Sequence, residues 1–448
     1  VLSLRRDGRT SARREPLGSP FRRFQSAVVS SDLADGIYKI AVPLIALGMT
    51  RSAVAVSLVG VAVRLPWLVA MLPAGVVADR YEPRSVMRWA SAVRLGLVVA
   101  MCVAAVLGRL PLWTLAVLAF AVGCAGTFVD VAAQSALPRL VTAGQLPRAN
   151  AALQSTQMFL AQLVGPALGG YVVALGSGLG LSTVVVLYVV TVWALGILPA
   201  AVGGAAVVAK APPPEAERPH DDEPKPRQRA SLRSMVSELG EGLRHFKGRP
   251  DLIRLATTAA VNNLSYAMCL TLLPLQAVAP GQLGLSETGY GLLLTCLAVG
   301  SVLAGPLTGR IVGRVGERRL MRCGGPLAGL CYLALAAPSV PVAAAGLFCY
   351  GLVSIVWNVV VVSYRQTTIP AEIFGRVNAA YRWITWGVFP LGSLVAGALA
   401  ALLGTTTVFL VAGALPLIAA VVVPVTTALA TAADDTEAAD DAPAQAAT

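Results

Sequence analysis

Charge is scarce in this chain. Only 13% of its 448 residues are Asp, Glu, Lys or Arg, against about 25% in soluble domains. Histidine is scarcer: His220 and His245 are the only two, neither lies in a long apolar run, and they make no zinc-ligand pattern. The chain has seven cysteines, no C-x-x-C pair, and every cysteine falls in or beside an apolar stretch. This usage excludes a disulfide framework and a metal centre and leaves small packing residues. No G-x-x-x-x-G-K-[ST] loop is present, so direct ATP use is excluded. G-x-S-x-G and H-E-x-x-H are missing too, which removes the usual membrane-hydrolase signatures and leaves no catalytic set: the chain reads as a non-enzyme without cofactor or metal.

What is present is hydrophobic length. The chain is 56% hydrophobic, and apolar runs near 20 residues, each able to cross ~30 Å of hydrocarbon, recur twelve times. They cover 26–48, 54–78, 88–107, 112–134, 150–174, 181–203, 252–276, 289–311, 321–338, 342–363, 378–402 and 405–428. The first contains Asp32, Asp35 and Lys39 and lacks an A-x-A site, so it reads as a span, not a cleaved leader. High Ala and Gly content points to a GC-rich bacterial gene, and Val1 to an alternative start.

The net charge of +12 is sorted by side. Arg5, Arg6, Arg9, Arg13, Arg14, Arg22 and Arg23 precede span 1; Arg80, Arg84 and Arg88 follow span 2; Arg314, Arg318, Arg319 and Arg322 follow span 8. The opposite loops offer Arg51 and Arg109. The positive-inside rule then places both termini and the middle loop in the cytoplasm, and the basic balance reflects a membrane surface, not nucleic acid.

The spans form two like halves. Gly75, Arg80 and Arg84 recur 234 residues later as Gly309, Arg314 and Arg318. Pro43-Leu44 recurs as Pro274-Leu275, Gln134-x-x-x-Pro138 as Gln366-x-x-x-Pro370, and Arg148-Ala149-Asn150 as Arg376-Val377-Asn378, at offsets of 231, 232 and 228. Equal span parity makes the halves parallel, an arrangement that puts a transport site near midplane between them. The expected organisation is a basic tail (1–25), a six-helix bundle (26–203), a linker (204–251), a second six-helix bundle (252–428) and a disordered tail (429–448). PPPEAERPHDDEPKPRQR reads as disordered, and its His220-Asp221-Asp222-Glu223 cluster as solvated linker. Leu232, Val236, Leu239, Leu243 and Phe246 repeat at helical spacing, as for an amphipathic helix on the cytoplasmic membrane face.

These features resemble the major facilitator superfamily (MFS) over essentially the whole chain, which implies an all-α membrane fold of 12 helices in two pseudo-repeats. GVVADRYEPR is similar to the family's G-x-x-x-D-R-x-G-R-R turn between spans 2 and 3, with Glu82 and Pro83 departing from it. The resemblance implies that Gly75, Asp79, Arg80 and Arg84, with the second copy at Gly309, Arg314 and Arg318, form a conformational latch. Gly313 stands where that copy would carry its acid. Gly165-Pro166-Ala167-Leu168-Gly169-Gly170 resembles the GP-x-x-GG core of the antiporter motif. Small residues allow close helix approach and proline frees a carbonyl, so a hinge is expected. SDLADGIYKIAVPLIAL and the stretch from Asp130 through ALPRLVTAGQLPRANAAL resemble the drug and siderophore exporter branch, with its enterobactin-exporter-like and macrolide-efflux-like members.

Ionisable groups inside spans need partners or water. Asp35 and Lys39 share a face of span 1, Arg64 stands at similar depth in span 2, and Arg94 and Asp130 sit in spans 3 and 4. They are the candidates for proton coupling, in switchable pairs lining an aqueous path. Gln154, Gln157, Asn262, Asn263, Tyr266, Asn358, Trp383 and Trp386 are candidates for lining the substrate cavity, with ordinary packing the competing role. Arg376 and Arg382 are expected to reach the cytoplasmic interface. The expected function is proton-driven export of a small hydrophobic organic compound by a monomer in the cell membrane. An importer of a polar nutrient or lipid, or a transport-dead sensor or scaffold, are the alternatives.

Overall fold

The computed structural model describes residues 17–197, 232–246 and 248–423. The basic tail up to residue 16, the expected linker disorder, the His220 cluster and the C-terminal tail lie outside the described residues. The helices are α1 (Ser19–Met49), α2 (Ala53–Arg80), α3 (Pro83–Val106), α4 (Leu112–Leu140), α5 (Leu146–Gln157), α6 (Gly165–Ala174), α7 (Ser177–Ile197) and α8 (Leu232–Phe246). Then come α9 (Pro250–Ala277), α10 (Glu287–Val315), α11 (Glu317–Ala334), α12 (Val340–Thr368), α13 (Ala371–Gly387), α14 (Phe389–Leu403) and α15 (Thr405–Val422). Among the described residues, nine segments, counting α5–α6 and α13–α14 as one each, are long and apolar enough to cross a membrane. The more polar α1, α9 and α11 complete an alternating series of twelve.

Helix ends follow local chemistry. The Ser52 and Ser286 side chains accept from the Ala55 and Gly289 amides and so cap α2 and α10. Gly316 and Gly404, at φ 84° and 86°, turn the chain between helices where a side chain would be strained. The helices overrun the apolar stretches: α1 begins at Ser19 and α4 runs to Leu140. Polar turns outside the hydrocarbon continue the helix, and hydropathy does not mark them.

Both copies of the fifth span are interrupted at a proline. Met158–Val164 is π-helical and runs directly into Gly165-Pro166; the wider turn absorbs the amide that proline lacks. In the second half the break falls between α13 and α14, before Pro390.

Each half has two ends: a basic end, with the Gly75–Arg84 turn, and a far end, with Arg51. One buried cluster runs through the far part of both halves, from Ala34–Leu47 of α1 through Met268–Val278 of α9 to Phe409 and Ala412 of α15. Toward the basic end the buried clusters belong to one half each, around Phe24 and Val129 in the first and around Leu252 and Val360 in the second. The halves therefore share a core at the far end and have separate cores at the basic end.

The helix α8 departs from its expected seat. Phe246 is buried and Leu243 half-buried against α9, α12 and α13, and α8 also touches α2. Its visible apolar side chains cover protein, because α13 offers a groove at Arg376, whose carbonyl leaves no room for a side chain at Gly242. The positions Leu232, Val236 and Leu239 have no described side chains.

Candidate transport path between two halves

The first half carries a buried acid–base set. Asp32 and Asp35 are three residues apart on α1 and so share a helix face. Arg94 of α3 is buried and donates to Asp35 Oδ1 and to the Tyr188 hydroxyl of α7. Tyr188 in turn donates to Asp35 Oδ1 at 2.6 Å, and the Arg94 guanidinium lies 4.5 Å from the Tyr188 ring centre. Asp32 and Asp130 line a cavity of about 30 Å³ together with Ala27, Met87, Thr191 and Leu195. Asp32 Oδ2 is buried without a hydrogen-bond partner among the described residues.

This geometry corrects the expected pairings. Lys39 is exposed and forms no ion pair among the described residues, Arg64 does not meet Asp35, and Asp130 pairs with no cation. Similar depth does not bring two side chains together: Arg64 lies over Gly60 of its own helix, beside Thr271 of the other half, whereas Arg94 points into the first bundle. The charges of Asp35, Lys39 and Arg94 nevertheless act on both Asp32 and Asp130. Asp32 was legible as a same-face neighbour of Asp35; Tyr188, from the sixth span, had no sequence signal.

The second half faces the first with rings. Tyr266 stacks on Tyr350 at 5.2 Å between centres and meets Phe389 at 6.1 Å. Trp386 lies 5.7 Å from Phe389 and 4.9 Å from Trp67 of α2, so the series crosses between halves. Tyr332 donates to Asn262 Oδ1 at 3.1 Å, and Asn262 Nδ2 donates to the Tyr350 hydroxyl at 3.5 Å. Asn263 donates to the Thr385 carbonyl at 2.7 Å and so ties α9 to α13. Of the cavity candidates, Asn262, Tyr266 and Trp386 come together here. Trp383, Asn358, Gln154 and Gln157 are exposed elsewhere on their helices, outside this ring series.

The basic residues of α13 split. Arg376 pairs with Glu241 of α8 at 3.0 Å, both about half exposed. Arg382 does not reach the interface as expected; it lies 5.6 and 5.9 Å from the ring centres of Trp67 and Trp386, where aromatic faces attract it. Buried Arg365 stacks 3.8 Å over Tyr381 and donates to Asn378 Oδ1 at 2.7 Å, with no carboxylate partner among the described residues. At the foot of α9, Arg249 grips Asp251 with two bonds of 3.0 and 2.7 Å, and Tyr364 adds a third at 2.9 Å. Burial works to raise the Asp251 pKa; the bonds from Arg249 and Tyr364 outweigh it and hold the carboxyl below its ordinary value.

The glycine motif sits at the closed far end. A Cβ on Gly165 would meet the Gly36 backbone of α1 at 2.5 Å, and one on Gly169 the Ile37 carbonyl at 3.1 Å. Gly170 faces the other half, where a Cβ would meet the Glu287 carbonyl at 2.5 Å and Gly291 Cα at 3.1 Å. Pro166 contributes its carbonyl, which leaves no room for a side chain on Gly291. Arg51 adds bonds of 3.4 and 2.8 Å to the Val278 and Ala279 carbonyls of the other half.

At the basic end the turn residues are apart. Asp79 is exposed and forms no ion pair among the described residues, and Arg84 donates to the Gly196 carbonyl at the end of α7 at 3.1 Å. Arg80 is exposed and engaged, and Gly75 is half-buried. Gly309, Arg314 and Arg318 are exposed. The expected latch is not assembled around Asp79 in this arrangement.

Comparison with known proteins bears on the whole chain. The sequence model of the Major Facilitator Superfamily matches residues 26–280 and 276–446. The multidrug efflux pump Tap of Mycolicibacterium fortuitum is 27% identical over 403 residues, which cover 86% of this chain and 90% of that protein. The pump of the same name from Mycobacterium tuberculosis (strain ATCC 25618 / H37Rv) is 28% identical over 420 residues, covering 88% and 89%. Among solved structures, the nucleoside transporter NupG aligns with a TM-score of 0.65 at 12% identity, over 90% of this chain and 99% of its own. A bacterial homolog of the human lysosomal transporter Spinster aligns at 0.64 with 13% identity, over 92% and 97%. These two speak for the fold alone. Two six-helix halves, a shared far-end core and a family match along nearly the whole length lead to one conclusion: the chain belongs to the Major Facilitator Superfamily and is a multi-pass membrane transporter, not an enzyme.

Proposed function

We propose that the protein exports small, hydrophobic organic compounds such as drugs, antibiotics or siderophores across the cell membrane in exchange for protons. The observation that carries this reading is the Asp35–Arg94–Tyr188 set built on a buried arginine, with buried Asp32 and the more exposed Asp130 beside it, inside a membrane bundle. Charges in hydrocarbon cost about 2.5–3.5 kcal/mol each on insertion scales, so three carboxyl groups in one bundle call for a function. A carboxyl group that alternates between paired and unpaired buried settings also alternates between charged and protonated. Asp35 is the first proton carrier in this reading, with Asp130 and Asp32 as relays, and the proton gradient is the energy source.

The remaining parts fit alternating access. The positive-inside rule puts the basic end and both termini in the cytoplasm, so a core shared only at the far end corresponds to an inward-open state. The Gly165–Gly170 segment and Gly291 form the seam that must part when the halves rock outward, and Asp79 the group that would then find a partner. One chain encloses the whole path and works as a monomer. Similarity to pumps named for multidrug efflux supports export over import.

Inverted membrane vesicles test this directly. A proton gradient should drive accumulation of a lipophilic dye, and a protonophore should abolish it. Accumulation indifferent to the protonophore would exclude antiport.

A further inference from the structure

Arg64 stands between the halves without a counter-charge. It is in the middle of α2, its one hydrogen bond is a 3.4 Å contact with the Gly60 carbonyl of its own helix, and no carboxylate pairs with it among the described residues. Its guanidinium lies beside Gly60, where a Cβ would also meet Thr271 of the second half at 2.8 Å. Arg382 is the second such cation, held over Trp67 and Trp386. Trp67 is three residues beyond Arg64 and on the same face of α2. The two guanidinium groups therefore flank one aromatic series, Tyr266, Phe389, Trp386 and Trp67.

The acids are elsewhere. Asp35 is committed to Arg94 and Tyr188. The walls of the cavity shared by Asp32 and Asp130 come from α1, α3, α4 and α7 alone, all in the first half. A half-buried arginine fork without a carboxylate fits a planar oxyanion, and neighbouring rings fit an aromatic body.

We propose that the path between the halves takes planar aromatic compounds bearing an acidic group, with Arg64 binding the anion and Trp67, Trp386 and Tyr266 stacking on the ring system. This rests on the transporter reading above and narrows its substrate class. Arg382 lies against the rings at the other end and adds positive potential there. Uncharged aromatic compounds would use the rings alone and bind more weakly; aromatic cations would meet repulsion from both arginines.

The test is binding to the purified full-length protein in detergent, read by dye anisotropy and by quenching of tryptophan fluorescence. Fluorescein and a rhodamine share the xanthene ring and differ in sign of charge. The wild type should bind fluorescein about tenfold or more tighter than the rhodamine, the scale of a charge-assisted hydrogen bond. Arg64→Gln should remove that advantage by weakening fluorescein while rhodamine binding holds or improves, Arg64→Lys should keep part of it, and Trp386→Ala should weaken both dyes. Equal affinity for the two dyes, preference for the rhodamine, binding of neither, or equal losses for both in Arg64→Gln would overturn the proposal. If Arg64→Gln does not fold, Arg382→Gln carries the same comparison. Fluorescein selectivity without proton-driven transport would sink the antiport reading and leave this one standing.

Discussion

The two halves share a scaffold and treat charge in opposite ways. At the 231-residue offset set by Pro43 and Pro274, Asp35 of the first half corresponds to Tyr266 of the second, and Asp32 to Asn263. The acid side of an acid–base set thus occupies the positions that hold a ring and an amide in the other copy. The first half satisfies its buried arginine with a carboxylate, Arg94 on Asp35; the second satisfies its own with a ring and an amide, Arg365 on Tyr381 and Asn378. A carboxylate can pick up and release a proton, and an aromatic face cannot. The difference teaches that a duplicated bundle can keep its carboxylates in one copy while the other contributes most of the rings to the path between them.

The sharpest way to break this comparison is to remove each arginine. Arg94→Met leaves half-buried Asp35 without its partner; deleting one member of a fully buried pair costs about 3–5 kcal/mol, so the lower end of that range is expected. Arg365→Met loses a cation–ring contact and strands no acid, so about 2 kcal/mol is expected. Thermal unfolding in detergent measures both, and equal losses would erase the distinction between halves. The glycine seam comes next. Gly291→Val should block close approach to Pro166 and Gly170, at about 1–3 kcal/mol with loss of transport. Gly309→Val, with nothing within 4 Å of its Cβ position, should leave both near wild type.

A smaller effect is expected at the basic turns. Asp79→Lys should slow conformational cycling severalfold, measured by single-turnover transport, because the resemblance gives Asp79 a partner in the opposite state. Gly313→Lys should change it little, since the second copy lacks the acid and the site is open. Equal effects would make the two turns equivalent. The last test, at Asp251, reads a pH dependence. The Asp251 carboxyl is held below the ordinary range in the folded protein, so its stabilisation is full above about pH 4, the unfolded value. The stability gap between wild type and Asp251→Asn should be about 1–3 kcal/mol and flat from pH 5 to 7, then shrink on further acidification. A gap that widened with acid would reverse the sign.

The spans and the repeat were readable because hydrocarbon demands about 20 apolar residues per crossing, whatever the tertiary contacts. The GP-x-x-GG segment was readable as close packing, since only small residues permit it; its partner Gly291, 121 residues beyond Gly170, was not. Side-chain pairing was least readable. Arg64 and Arg94 are both mid-span arginines in the first half, and only the azimuth of each helix decides that Arg94 reaches Asp35. The aromatic series needed α2, α9, α12, α13 and α14 together, with no two rings closer in sequence than Trp386 and Phe389. The breaks at Pro166 and Pro390 were foreshadowed by the prolines, but the π-helical turn before the first was not.

The central claim is that proton handling belongs to the acid set inside the first half, that substrate is recognised between the halves, and that the two can be separated. Substrate counterflow, meaning exchange of labelled for unlabelled compound with no gradient, measures recognition and rocking alone. Asp35→Asn in reconstituted vesicles should lose proton-driven transport and keep counterflow near the wild-type rate. Loss of both together, or retention of both, would contradict the separation of the acid set from the recognition site.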